Sequence, residues 1–203
     1  MSPSIENIEL HLSSCSCCFK TDVGQEDFGF CSIKGGDVSI VYRRFPTHVP
    51  SYVSKKGVPS KYHKVSGQSI YSGQMHPVVR AKLMSALKDR FTPGANNVKR
   101  LTTTKKVPSM KKVKLTFEYG VPVNYGDVRM IRGVLSWKSA NSDYIPRWDL
   151  SNLWPMRKSI EDCLVGSGII RDDNVGVVVE LSERFVEVKH INDRYIRVII
   201  NRR

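Results

Sequence analysis

The sequence predicts an α+β chain: a small mixed β-sheet with two main helices packed on it. Three observations carry this. Strand-like and helix-like stretches interleave in the order strand, loop, helix, strand, insertion, helix, strand, strand, which implies a mixed sheet with helices on one face. Forty per cent of the 203 residues are hydrophobic, enough for a core. The carboxylates Asp149 and Asp172-Asp173 bound one short helical stretch, and they meet only if the chain folds back as strand, helix, returning strand.

Residues 1–35 are expected to form a poorly ordered, cysteine-containing extension, and 36–203 the folded domain. Cys15, Cys17 and Cys18 cluster in that extension, with Cys31 further on and Cys163 on a helix face, five cysteines in all. With His11 they could bind zinc, but the spacing does not follow the usual two-pair pattern. Free thiols in a reducing, intracellular compartment fit better.

Val38–Tyr42 reads as a strand. A long irregular piece, 46–75, follows, where Lys55, Lys56, Lys61 and Lys64 interleave with Tyr52, Tyr62 and Tyr71. That mixture suits a sugar-phosphate backbone and equally suits a solvated loop. Pro77–Phe91 is the clearest helix: Val79, Leu83, Leu87 and Phe91 form an apolar stripe, and proline suits a first turn. Residues 92–112 read as a basic linker, with Lys99, Arg100, Lys105, Lys106, Lys111 and Lys112 as candidate DNA contacts.

Val113–Tyr119 alternates as a strand should. An insertion at about 120–148 holds a hairpin with arms near 128–131 and 134–137. A second helix follows, with Pro155 expected in its first turn, Met156, Ile160, Cys163 and Leu164 on its apolar face, and Gly166 or Gly168 at its exit. Gly176–Glu183, extended through Phe185–Lys189, and Tyr195–Ile200 supply the closing strands.

The net charge is +13, from 32 basic and 19 acidic residues. That favours a polyanionic partner, nucleic acid first, over an anionic membrane surface or mere solubility. No run approaches the ~18 apolar residues of a membrane span, and the start is unlike a secretory signal.

Two chemistries compete at the acidic ends. Asp149 can cap the helix and Asp172-Asp173-Asn174 can form a turn. Alternatively the carboxylates gather on a divalent cation, since hard oxygens suit Mg²⁺ and clustered carboxylates repel one another without one. Lys158 and Asp162, one turn apart, can simply pair with each other.

Asp149-Leu-Ser-Asn152, Lys158-x3-Asp162-x-Leu164 and Gly168-Ile-Ile-Arg-Asp172-Asp173, in that order and on those elements, resemble the RusA family of Holliday-junction resolvases over roughly residues 36–200. The family pattern is Asp-x-Asp-Asn-x-x-Lys-x3-Asp-Ala-Leu, then a glycine turn and Asp-Asp. The resemblance implies a homodimeric, Mg²⁺-dependent endonuclease, with Mn²⁺ as an alternative metal, that nicks branched DNA. It further implies that Asp149 and Asp173 are metal ligands, that Asp172 supports them, and that Lys158 contacts the phosphate or the attacking water. The chain departs from the pattern at three places: Ser151 stands where the family has its second aspartate, Trp154-Pro-Met156 adds three residues, and 120–148 is longer. A hydroxyl is a poorer ligand for a hard dication. Either Asp143 or Glu161 compensates, or the chain is a slow enzyme, or it binds branched DNA without cutting it. A basic RNA-binding or scaffold role is the third alternative.

Overall fold

The computed structural model describes residues 28–34, 37–53, 59–71, 73, 75–104, 109–122, 125–131, 134–139 and 150–203. The strands are β1 (Phe28–Lys34), β2 (Asp37–Arg43), β3 (His48–Val53), β4 (Pro59–Lys64), β5 (Val113–Pro122), β6 (Tyr125–Ile131), β7 (Val134–Ser139), β8 (Val178–Val188) and β9 (Tyr195–Arg202). The helices are α1 (Gly67–Tyr71), α2 (Pro77–Thr104) and α3 (Leu150–Gly166).

A five-stranded sheet runs β1-β2-β9-β5-β8. Its neighbours are antiparallel except β5 and β8, which are parallel and joined through α3. Parallel neighbours need such a crossover, so the predicted fold-back around α3 is present. Alternation sorts the residues of each strand onto two faces. Val38, Ile40 and Tyr42 of β2, Ile196, Val198 and Ile200 of β9, and Leu115, Phe117 and Tyr119 of β5 share one face. All nine are buried, in one core with Leu83, Leu87 and Phe91 of α2 and Leu153, Met156, Ile160 and Leu164 of α3. Burying a side chain of this size contributes ~1.5–3 kcal/mol. The fold class is therefore α+β, a mixed sheet with two main helices on it.

On the opposite face Glu118 is buried, yet it is ionised: burial works against its charge, while the Tyr195 hydroxyl at 2.7 Å and the Arg184 and Arg197 guanidiniums outweigh it and hold the carboxyl below its ordinary range. Tyr195, donating to that carboxylate from a partly buried position, is pushed up to about 12.

Several boundaries differ from the expectation. The sheet begins at Phe28, before 36, because β1 pairs with β2; residues 1–27, including Cys15, Cys17 and Cys18, lie outside the described residues. The irregular piece 46–75 contains an antiparallel β3–β4 hairpin and α1. Helix α2 does not stop at Phe91 but runs through Pro93 to Thr104, so much of the expected basic linker is helical. The apolar stripe explains this: it continues through Ala95 and Val98, both fully buried. Pro93 removes one backbone donor, and burial of the next two turns outweighs the loss. The predicted insertion hairpin is present as β6–β7, a separate two-stranded sheet.

Helix α3 begins at Leu150, which puts Pro155 in its interior and not in its first turn. Pro155 cannot donate to the Ser151 carbonyl one turn back. The backbone of Gly67 packs on that carbonyl so closely that a Cβ at 67 would lie 2.0 Å from the oxygen. At the other end, Gly168 has φ +71°, its N–H donates to the Val165 carbonyl at 2.8 Å, and Ile169 N–H donates to the Leu164 carbonyl at 3.0 Å. This pair of bonds is a Schellman end, and glycine takes its left-handed position without a Cβ penalty. Ile170 then bridges Met110 in parallel and fixes where the acidic turn begins. Among the described residues no helix is long and apolar enough to cross a membrane.

Candidate functional site

The Schellman turn and the Met110 bridge return the chain alongside α3. They bring Asp173 to Lys158, fifteen residues earlier. The Lys158 ammonium bonds the Asp173 carboxylate through Oδ2 and also lies 3.0 Å from Asp162 Oδ1. Asp162 Oδ2 in turn accepts Lys88 of α2 at 2.6 Å. The result is a row of alternating charge, Lys88, Asp162, Lys158, Asp173, across the α2–α3 seam. Burial works against the charge on Lys158, but its hydrogen bonds to Asp173 and Asp162 outweigh this and raise it above its ordinary value. Burial likewise opposes ionisation of Asp162, and the bonds from Lys88 and Lys158 prevail, holding its carboxyl below its ordinary range.

Asp172 takes the turn geometry. Its Oδ1 accepts the Asp173 N–H at 2.7 Å and its Oδ2 accepts the Asn174 side-chain amide at 2.6 Å, while Asn174 Oδ1 accepts the Gly176 N–H at 2.9 Å. Asp173 is thereby held toward α3. Asp149 and Asp143 lie outside the described residues. Ser151 lies in the first turn of α3 and so is helical; the extended backbone that would set it on one face with Asp149 is not what Leu150 onward adopts.

Glu161 faces a second network. Arg157 lies 3.6 Å from Glu161 and donates to Glu183 of β8 at 2.9 Å, and Glu183 also accepts the Tyr119 hydroxyl at 2.8 Å. Burial pushes the Glu161 carboxyl up; Arg157 and Lys158 oppose this, and Asp173 and Glu183 add to it. Tyr71 of α1 closes the near side. Its ring meets Trp154 edge-on at 4.5 Å, and Arg80 sits 5.9 Å from its centroid. Burial raises the Tyr71 hydroxyl; the charges of Arg80 and Lys158 oppose it and that of Asp162 adds to it.

Asp172 and Asp173 offer the hard oxygens a Mg²⁺ would take. The described residues, however, contain no group of three acidic, histidine or cysteine side chains placed to hold a metal. Among the described residues Glu161 is engaged by Arg157 and forms no such group with Asp172 and Asp173. Among the described residues Asp173 is balanced by Lys158, and Asp162 by Lys158 and Lys88, while Asp172 accepts the Asp173 N–H and the Asn174 amide.

The expected DNA contacts are dispersed. Lys64 is exposed at the end of β4, Lys61 lies within β4, Lys99 and Arg100 are exposed on α2, and Lys111 and Lys112 are exposed before β5. Lys55, Lys56, Lys105 and Lys106 lie outside the described residues. The Lys99 ammonium stands 3.4 Å from where a Cβ on Gly168 would be, which puts one of these cations beside the turn that leads to the acidic pair. Cys163 is a buried free thiol, pushed up by burial.

No protein-family profile matches this chain, and no curated protein matches it in sequence.

Lys88, Arg157 and Glu183 were not singled out from the sequence, and Tyr71 was named only among the aromatics of 46–75, not as a neighbour of Lys158. Arg157 and Glu161 carried a local signal, one helical turn apart. Lys88 carried none, because its partner lies 74 positions away on another helix.

Proposed function

We propose that the chain is a RusA-like nuclease that binds branched DNA and hydrolyses its phosphodiester backbone, nicking paired strands as a homodimer. One observation carries this reading: Lys158, Asp162 and Asp173 converge on one spot, in the order and on the elements that the sequence resemblance implies. An ammonium already placed among carboxylates is suited to the extra charge that phosphoryl chemistry develops on oxygen. In this reading Lys158 exchanges Asp173 for the scissile phosphate, Asp162 keeps it aimed, and Asp172 holds the turn. Asp149 would join Asp172 and Asp173 as oxygen donors to Mg²⁺, which when bound supplies polarisation of the phosphoryl group and a more acidic water. The net charge of +13 supports a polyanionic substrate.

The second reading, a branched-DNA-binding protein without catalysis, is favoured by Ser151, which stands where the family has its second aspartate. One experiment separates the two. Purified protein is incubated with an end-labelled four-way junction, in Mg²⁺, in Mn²⁺ and in chelator. Symmetric nicks that need the metal support the nuclease. A shifted but uncut junction supports the binder. Equal affinity for linear duplex and for the junction defeats both.

A further inference from the structure

Helices α2 and α3 lie side by side and run the same way: Lys88 meets Asp162, Thr92 meets Cys163, and Lys99 reaches Gly168. Their facing stripes keep one spacing. Arg80, Met84 and Lys88 of α2 stand one turn apart, as do Trp154, Lys158 and Asp162 of α3. The Lys88–Asp162 pair closes the seam at 2.6 Å. One turn nearer the helix starts, about 5.4 Å away, Tyr71 of α1 fills it. The Tyr71 hydroxyl donates to Met84 Sδ at 3.8 Å, and its ring meets Trp154 edge-on at 4.5 Å. Tyr71 is thus the neighbour of the Lys158 site, and the charges of Arg80, Asp162 and Lys158 all reach its hydroxyl.

Packing alone does not account for two features of this spot. The Tyr71 ring is gripped by Met84 and Trp154 yet 43% exposed, whereas Phe45, Phe91, Phe117 and Tyr119 are at most 1% exposed. Arg80 sits 5.9 Å from the Tyr71 centroid. Among the described residues no carboxylate pairs with it, and its buried Nε has no acceptor. A buried N–H without an acceptor costs free energy, and a guanidinium without a carboxylate is available to a phosphate.

We infer that Arg80 and Tyr71 form a nucleotide subsite beside Lys158, in which Tyr71 stacks on an unpaired base and Arg80 holds the phosphate of that nucleotide. The inference rests on the proposal that Lys158 takes the scissile phosphate; the subsite then holds the next nucleotide of the same strand. A base inside a duplex has both faces covered by its neighbours and cannot reach the ring. A base at a branch point or in a single strand can. Every base has a π-face, so the subsite selects for strand separation and not for sequence. The ring is already held by Met84 and Trp154, so little side-chain freedom is lost when a base arrives.

The test uses the full chain in chelator, so that binding is read without cutting. Fluorescence anisotropy compares a labelled oligothymidine with an oligomer of equal length built from abasic sugars. The oligothymidine should bind about five- to a hundredfold tighter for one base stacked. Tyr71→Phe should keep this difference. Tyr71→Leu keeps an apolar contact for Trp154 and Met84 but has no flat face; it should abolish the difference with the circular-dichroism spectrum retained. Arg80→Gln should weaken both oligomers alike and lower the slope of log K against log salt by about 0.7, the share of one phosphate on a single strand. Equal affinity of the parent for the two oligomers overturns the subsite, and so does a base preference that Tyr71→Leu retains. An unchanged salt slope in Arg80→Gln overturns the assignment of the phosphate to Arg80. Junction cleavage by the parent in Mg²⁺ is measured in parallel. A parent that cuts but has no base preference loses this subsite alone. Base preference in a parent that never cuts keeps the subsite and removes the nuclease reading.

Discussion

Asp173→Asn tests whether the Lys158–Asp173 contact is a real coupling and whether it belongs to the chemistry. The two side chains are 35% and 26% exposed, so this is neither a surface ion pair nor a fully buried one. A hydrogen bond to a charged group contributes ~1.5–3 kcal/mol. Asparagine keeps a carbonyl oxygen for Lys158, and Lys158 keeps Asp162 at 3.0 Å. The loss should therefore fall below that range, at ~1 kcal/mol, a fall of about 2–4 °C in Tm for a chain of this length. The assay is urea unfolding of a double-mutant cycle with Lys158→Met. Independent sites add to within about 0.3–0.5 kcal/mol, so a coupling near 1 kcal/mol is resolvable. Junction cleavage by the same proteins gives the second readout, and Asp173→Asn should abolish it while leaving junction affinity intact or slightly improved, because one negative charge facing the phosphate is gone. Additive stabilities would refute the contact. Cleavage at the parental rate would refute the chemical role whatever the stability.

The remaining expectations are these. Junction affinity should fall steeply with salt, at about −0.9 in log K against log salt for each phosphate neutralised; a slope near zero removes the electrostatic argument. Gly168→Ala should cost ~1–2 kcal/mol in thermal unfolding, the penalty for a side chain at φ +71°; no change in Tm would mean that the helix end rearranges freely. Asp162 is held below its ordinary 3.8, so its ionised form favours the folded state; that stabilisation is present above pH 3.8 and is lost as the pH falls through the lower folded value. Asp162→Asn should accordingly flatten the acid limb of the urea midpoint plotted against pH. Ser151→Asp puts a carboxylate in the first turn of α3, where the helix dipole should stabilise it by ~0.3–1 kcal/mol without any metal. If 151 also faces a cation, added Mg²⁺ should raise the Tm of this variant more than that of the parent, and equal shifts would remove position 151 from the metal argument.

Periodicity made β2, β5, β9 and the start of α2 readable, because each buries one face and the chain records that face every second residue or at helical spacing. It failed where tertiary burial outweighed a local breaker. The helix is expected to end at Phe91, yet Ala95 and Val98 lie fully buried beyond Pro93. Pro155 reads as a start, yet α3 begins five residues earlier. Hairpin β3–β4 was missed because its prolines, Pro50 and Pro59, read as loop punctuation, although edge strands tolerate proline. At the candidate site the neighbours one turn apart, Lys158 with Asp162 and Arg157 with Glu161, were legible in principle. The contacts that hold the site to the rest of the fold, Lys88 with Asp162 and Arg157 with Glu183, join distant segments and leave no local trace. Asp172 serves the turn, which was one of its two readings.

Strand β9 sits between β2 and β5 although every other strand of the sheet precedes it in the chain. During synthesis, then, the sheet cannot close until β9 is made, because the inner edges of β2 and β5 have their partner only in that last strand. Val38 waits for Ile200 across more than 160 residues, and loops of that length close slowly. Shortening the chain within Tyr195–Arg202 would not trim an edge of the sheet but divide the sheet in two, and a chaperone that shields nascent strands would find its substrate in the window before this segment emerges.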